Sequence, residues 1–218
     1  IAKVAGKTYC YYTGWKRRRY NVPFELSIGL AEITDDGDRF EKLYNGPILS
    51  QDYNHPYLVA GPYVLNEDDC LKMWYCSGTS WVTNEDTVEP IYTVFSAKSE
   101  DGINWKQDSP TPCIKYNNGR EVISAPWVCC TPAGYVMYYP FRQSETAVLK
   151  RYSIGVAVSS DGMNWVRKDE QAGIEKSKEG WDSEMICYPA IFKHGEKEYL
   201  FYSGNRVGLG GIGYAVSV

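Results

Sequence analysis

The stretch Ser159-Ser160-Asp161-Gly162-Met163-Asn164-Trp165, SSDGMNW, has a near twin sixty residues upstream in Ser99-Glu100-Asp101-Gly102-Ile103-Asn104-Trp105, SEDGINW. The match extends leftward, so that YTVFSAKSEDGINWK (92–106) lies over YSIGVAVSSDGMNWVR (152–167) without a gap. A third copy, LSIGLAEITDDGDRFEK (26–42), carries one extra residue and Phe40 in place of the Trp, and a shortened fourth, GGIGYAVSV, closes the chain. The equivalent alanines are Ala31, Ala97, Ala157 and Ala215, which sets a period of roughly 60 residues.

A second block precedes each copy: a Pro-bearing apolar run followed by a Tyr-rich one. It reads VAGPYVL and LKMWYCSG, then ISAPWVCC and YVMYYPFR, then ICYPAIF and EYLFYSGN, while the first copy has only GKTYCYYTGW. Each unit is thus strand, turn, strand, loop, strand, Asp-Gly turn and short strand. About four strands repeating at this period predict an all-β protein, a β-propeller of radial four-stranded antiparallel blades. The units fall near 1–45, 57–108, 122–168 and 185–218 of one 218-residue chain.

The heptad itself reads as punctuation. Gly accepts a positive φ, and the Asp before it can hydrogen-bond the turn's backbone. The aromatic three residues after the Gly is placed to pack back between sheets. A catalytic role for Asp101 or Asp161 fits poorly, because a residue present in every unit would be spread around the ring, whereas catalysis needs one convergent site.

The composition supports this reading and narrows the function. Nineteen Tyr, seven Trp, 20 Gly and 11 Pro favour short strands and tight turns. A net charge of −4 argues against a nucleic-acid partner, and no apolar run approaches a membrane span. Lys16-Arg17-Arg18-Arg19 is a local basic exception, read as a solvated loop or an anion contact. The seven cysteines have no CxxC spacing and no nearby His pair, so neither a disulfide framework nor a metal site is expected. Free thiols point to a reducing, cytoplasmic compartment.

The whole pattern, and most specifically GWDSEMICYPAIF…EYLFYSGN..G..GIGYAV (180–216), resembles the arabinanase/levansucrase/invertase superfamily, the propellers of glycoside hydrolase families 32 and 43. The resemblance implies five blades around a funnel-shaped pocket, with glycosyl bonds cleaved or transferred by acidic residues on different blades, without a cofactor. It also implies an N-terminal blade, bearing a nucleophile or base Asp, for which the repeat register has no counterpart here.

The register brings two carboxylates to matching positions. Glu121 lies five residues before Pro126 and Glu184 five before Pro189. Paired carboxylates are what glycosidic cleavage requires, one as general acid and one as base, nucleophile or cation stabiliser. The resemblance places the acid directly before a Cys-Pro pair, whereas here two residues separate Glu184 from Cys187, so Asp182 stands beside it as a carrier of the same role. The alternatives are a loop carboxylate for Asp182 and Glu184 and an ion pair for Glu121, which neighbours Arg120. Trp15, Trp81, Trp181 and Tyr188 are candidate sugar-stacking residues against the alternative of core packing. Arg142 and Asn205 follow second strands, from which they could reach the pocket, with a structural salt bridge as the alternative for Arg142, and His55, held extended by Pro56, is a candidate general acid, phosphate ligand or buried hydrogen-bonder. The function expected is a glycosidase-like enzyme acting on an oligosaccharide or surface glycan, or a sugar-binding or scaffold propeller without catalysis.

Overall fold

Among its described residues the chain folds into four antiparallel sheets, three of them with at least four strands and the C-terminal one with three. The computed structural model describes residues 1–17, 24–34, 37–67, 70–84, 87–144 and 151–217. These divide into two compact units, Ile1–Cys113 and Ile114–Val218.

The first unit holds two four-stranded sheets. One runs β1 (Ala2–Val4), β2 (Lys7–Arg17), β3 (Phe24–Thr34) and β4 (Arg39–Lys42). The other runs β5 (Val59–Asn66), β6 (Leu71–Asn84), β7 (Thr87–Ser99) and β8 (Lys106–Gln107). Period-two alternation sends Tyr9 and Tyr11 of β2 with Ile28 and Leu30 of β3 into a core shared with Val59, Met73, Tyr75 and Phe95 of the second sheet. Every other side chain along a strand faces the same way, so one face of each sheet supplies this core.

The second unit repeats the plan. Strands β10 (Trp127–Thr131), β11 (Gly134–Gln143), β12 (Ser153–Ser159) and β13 (Val166–Arg167) form one sheet, and β9 (Glu121–Ile123) pairs with the far end of β11. Strands β14 (Cys187–His194), β15 (Lys197–Ser203) and β16 (Ile212–Val216) form the other. Val122, Ile123, Met137, Tyr139, Ile154, Ala157, Ile186 and Cys187 are buried. The chain is therefore all-β, and its four sheets carry the meander order of propeller blades, strand following neighbouring strand.

The Asp-Gly turns take the predicted form twice over. Asp101 Oδ1 accepts the amides of Ile103 and Asn104, both at 2.8 Å, while Oδ2 accepts Asn104 Nδ2 at 2.7 Å. Asp161 accepts the amides of Met163 and Asn164 and the Nδ2 of Asn164 at the same 2.8 Å. Gly102 and Gly162 follow at φ of 74° and 71°, a region that costs glycine little. The indole N–H of Trp105 donates to Gly102 O, and that of Trp165 to Gly162 O. The ring of Trp105 then meets Tyr11 edge-on, with centroids 5.7 Å apart. The corresponding Asp35 and Asp36 of the Phe40 copy lie outside the described residues, as do Arg18 and Arg19 of the basic cluster.

A second device recurs in the first strand of three sheets. The residue before the repeated proline is Gly61, Ala125 or Tyr188, and each has a positive φ, of 59°, 36° and 53°. The ladder slips there, between Ala60 and Tyr63 in β5 and between Cys187 and Ala190 in β14, and the same point separates β9 from β10. An extra residue in one strand of a pair produces this bulge and bends the strand.

Candidate functional site

The segment Gly180–Met185, at the entrance to β14, carries three of the candidate residues, Trp181, Asp182 and Glu184. Asn205, just past β15, holds it from one side. Its Oδ1 accepts the amides of Glu184 at 2.8 Å and Met185 at 3.1 Å, its Nδ2 donates to Gly180 O at 3.0 Å, and its own amide donates to Trp181 O at 2.7 Å. Ser183 Oγ donates to Gly180 O at 2.9 Å and closes the loop internally. Asn205 therefore acts on the site through the backbone of this loop.

Trp181 stacks on Tyr202 of β15, with centroids 5.3 Å apart and planes 19° from parallel. The ring lies so close to Gly204 and Gly213 that a Cβ there would meet its atoms at 2.4 and 2.6 Å. These glycines are required by close approach, and the ring keeps a partly open edge. Asp182 is buried and accepts the Tyr202 hydroxyl at 2.8 Å. Burial first, and then this bond to Asp182, push the Tyr202 phenol up to about 12. Glu184 is exposed, and its carboxylate has no hydrogen-bond partner among the described residues. The arrangement is an open carboxylate, a stacked aromatic pair and a buried carboxylate on a loop fixed by one amide side chain.

Glu121 sits in a different setting. It is fully buried, and Arg167 of β13 grips it through two bonds of 2.6 and 3.0 Å, while the Asn117 amide donates to Oε2 at 2.8 Å. The same guanidinium donates to Asp169 at 2.6 Å, and it lies over the rings of Tyr139 and Phe141. The ion pair expected with neighbouring Arg120 is made by Arg167 instead. Both oxygens of Glu121 are thus occupied by protein donors. Arg142 is buried over the Tyr152 ring, 5.4 Å from its centroid, and donates to Gln143 O.

In the first unit, His55 is buried within a hydrogen-bonded chain. The Asp52 carboxylate can only accept, so His55 Nδ1 carries the proton and donates to it at 3.2 Å. Nε2 faces the Tyr75 hydroxyl at 2.8 Å and Gln107 Nε2 at 3.0 Å. Asp52 is partly desolvated, which alone would raise its pKa, but the amides of His55 and Asn54 and the His55 ring outweigh this and lower it. Trp15 and Trp81 are brought together by Phe24, which no repeated motif marks. Its ring lies 4.9 Å from Trp15 and 5.8 Å from Trp81, centroid to centroid. Lys16 and Arg17 beside them are exposed. None of Tyr202, Arg167, Gln107 and Phe24 stands out in the sequence, because each acts across strands instead of within a motif.

All seven cysteines are free thiols. Among the described residues no cluster of His, Cys, Asp and Glu is arranged to hold a metal, and no helix is long and apolar enough to cross a membrane.

No protein-family model matches the chain. Uncharacterized protein Rv1502 of Mycobacterium tuberculosis (strain ATCC 25618 / H37Rv) is 30% identical over 216 residues, covering 99% of this chain and 69% of the relative. Uncharacterized protein MT1551 of Mycobacterium tuberculosis (strain CDC 1551 / Oshkosh) matches with the same identity and coverage. The chain belongs to the family of these two proteins. Among solved structures, a glycoside hydrolase superposes with a TM-score of 0.77 at 22% identity, over 99% of this chain and 64% of that one. A thermostable family-43 glycoside hydrolase gives 0.69 at 14% identity, over 98% of this chain and 68% of that one. The Bombyx mori GH32 beta-fructofuranosidase BmSUC1 gives 0.65 at 15% identity, over 90% of this chain and 40% of that one. The fold is that of these β-propeller glycoside hydrolases. The chain spans 64% of the length of the first.

Proposed function

We propose that this protein is a carbohydrate-active propeller that cleaves a glycosidic bond in an oligosaccharide or surface glycan, with Glu184 as the acid. The observation that carries this reading is the Asn205-held loop, which presents an unengaged Glu184 carboxylate three residues from an aromatic surface. A carboxyl free of protein donors can give its proton to a leaving-group oxygen, and an aromatic edge beside it can seat the apolar face of a sugar. Asp182 supports the reading as a positioning residue: its bond to Tyr202 fixes the ring on which Trp181 stacks. The solved glycoside hydrolases of the same fold add weight by analogy.

A second reading, a sugar-binding propeller without catalysis, draws on Glu121. That carboxylate is committed to Arg167 and Asn117, and so does not offer this unit a second catalytic acid. The two readings part in one experiment. The chain is incubated with arabino-, fructo- and xylo-oligosaccharides, and binding and release of reducing sugar are both measured for wild type and Glu184→Gln. Hydrolysis that Glu184→Gln reduces by about 100-fold or more, with binding retained, supports the catalytic reading. Binding without hydrolysis supports the second. Hydrolysis unchanged in Glu184→Gln removes Glu184 from the role.

A further inference from the structure

The bulge before the repeated proline is the same device in three sheets, but its occupants differ in size. Gly61 has no side chain, Ala125 a methyl group and Tyr188 a full phenol ring, all at positive φ. Left-handed backbone is nearly free for glycine and costly for a bulky L-residue, in which Cβ crowds the neighbouring carbonyl. The fold therefore demands the conformation, and glycine at Gly61 meets the demand without strain. A tyrosine at the same place is kept against the local preference. Strained non-glycine residues persist where the side chain has work that outweighs the cost.

The surroundings of Tyr188 point to that work. Its neighbours Cys187 and Pro189 are buried, while Tyr188 itself is 49% exposed. It stands four residues past Glu184. It is also one residue past Cys187, which pairs with Ser203, next to the Gly204 that Trp181 packs upon. The ladder slips by one residue here, between Cys187 and Ala190, at the entrance of β14.

We infer that Tyr188 is a sugar-stacking residue of the site headed by Glu184, held in a left-handed backbone conformation for the sake of its ring. The inference rests on the carbohydrate reading above and deepens it by naming the residue that receives the apolar face of a sugar ring. Aromatic stacking of this kind is worth about tenfold in affinity.

The test uses three variants of the whole chain: Tyr188→Gly, Tyr188→Ala and Tyr188→Phe. Binding of the same oligosaccharide panel is followed by titration calorimetry and Tm by calorimetric scanning. Tyr188→Gly and Tyr188→Ala are expected to weaken binding by about tenfold and Tyr188→Phe to retain it. The two ring-less variants differ in backbone strain, so Tyr188→Gly is expected to melt about 3 °C above Tyr188→Ala. Wild-type-like binding in the Gly and Ala variants overturns the inference and leaves the Glu184 reading standing. A Gly variant that melts no higher than the Ala variant overturns it as well, because the strain argument then has no energetic content. A wild-type chain that binds none of the panel overturns the carbohydrate reading and this inference with it.

Discussion

Asn205 Oδ1 accepts the backbone amide of Glu184 at 2.8 Å across twenty-one residues of chain. The same oxygen accepts the next amide, and the same side chain donates to Gly180 O. One amide group thereby satisfies both ends of the loop that carries Asp182 and Glu184. Backbone donors left without a partner in a partly buried loop are costly, so the side chain that supplies one sets the loop's conformation.

Replacing Asn205 with Ala removes all three side-chain bonds. The expected cost is about 1–3 kcal/mol, read from urea unfolding, together with faster hydrogen exchange at the amides of Glu184 and Met185. Asn205→Asp keeps the accepting oxygen but turns a second one toward Gly180 O, and its effect should be intermediate. Protection of the two amides that survives in Asn205→Ala would show that the loop holds itself.

Arg167 serves two carboxylates, Glu121 and Asp169, from one guanidinium that is only 14% exposed. Removing it strands Glu121, which is fully buried. Breaking one side of such a pair is far worse than replacing both. Arg167→Met is expected to destabilise by about 3–5 kcal/mol, and the double variant Arg167→Met/Glu121→Leu to recover a large part of that. Equal stability of the single and double variants in denaturant titrations would count against the pair.

What could be read from the sequence was what the chain does locally. The Asp-Gly turns bond residue i to residues i+2 and i+3, so the heptad contains the whole device, and its recurrence supplied the blade register. The Pro-bearing strands were legible for the same reason, although their left-handed pre-proline residue was not. A sequence states which residue precedes a proline but not how the ladder slips around it. The candidate site was partly legible. Trp181, Asp182 and Glu184 are neighbours in the sequence and share a loop in the fold, whereas the bonds of Asn205 to that loop's backbone carry no sequence signal. Glu121 and Arg167 are 46 residues apart and His55 and Gln107 are 52 apart. Their partnerships depend on strand register in space, and nothing in the one-dimensional pattern distinguishes Arg167 from Arg120 as the partner of Glu121.

Tyr202 gives the site a signature at alkaline pH. Its phenol is pushed up from 10.0 to about 12, by burial first and the bond to Asp182 next. A group whose folded pKa is raised contributes stability that is complete below its unfolded value and lost as pH rises through the folded one. The contribution of Tyr202 is therefore full below pH 10.0 and fades toward about 12. Asp182→Asn removes the negative charge that holds the proton, so the phenolate of Tyr202 should form at lower pH. An ultraviolet difference titration of wild type against Asp182→Asn reads this directly, and superimposable curves would dissociate the two residues.

At the acid end the two Asp-Gly turns contribute. Hydrogen bonds from the backbone and side chain of Asn104 hold the Asp101 carboxyl well below its ordinary 3.8, and Asn164 does the same for Asp161. Both carboxylates are largely exposed, so water screens part of the effect. Lowered folded values mean that their stabilisation is present above pH 3.8 and is lost as pH falls below it, where the unfolded chain binds protons first. Asp101→Asn/Asp161→Asn keeps a side-chain oxygen for the turn amides but carries no titrating group. The doubly substituted chain should be less stable at neutral pH and should lose less on acidification through 3.8, so that the two Tm curves converge. Curves that stay parallel through that range would show that these turns do not govern acid unfolding.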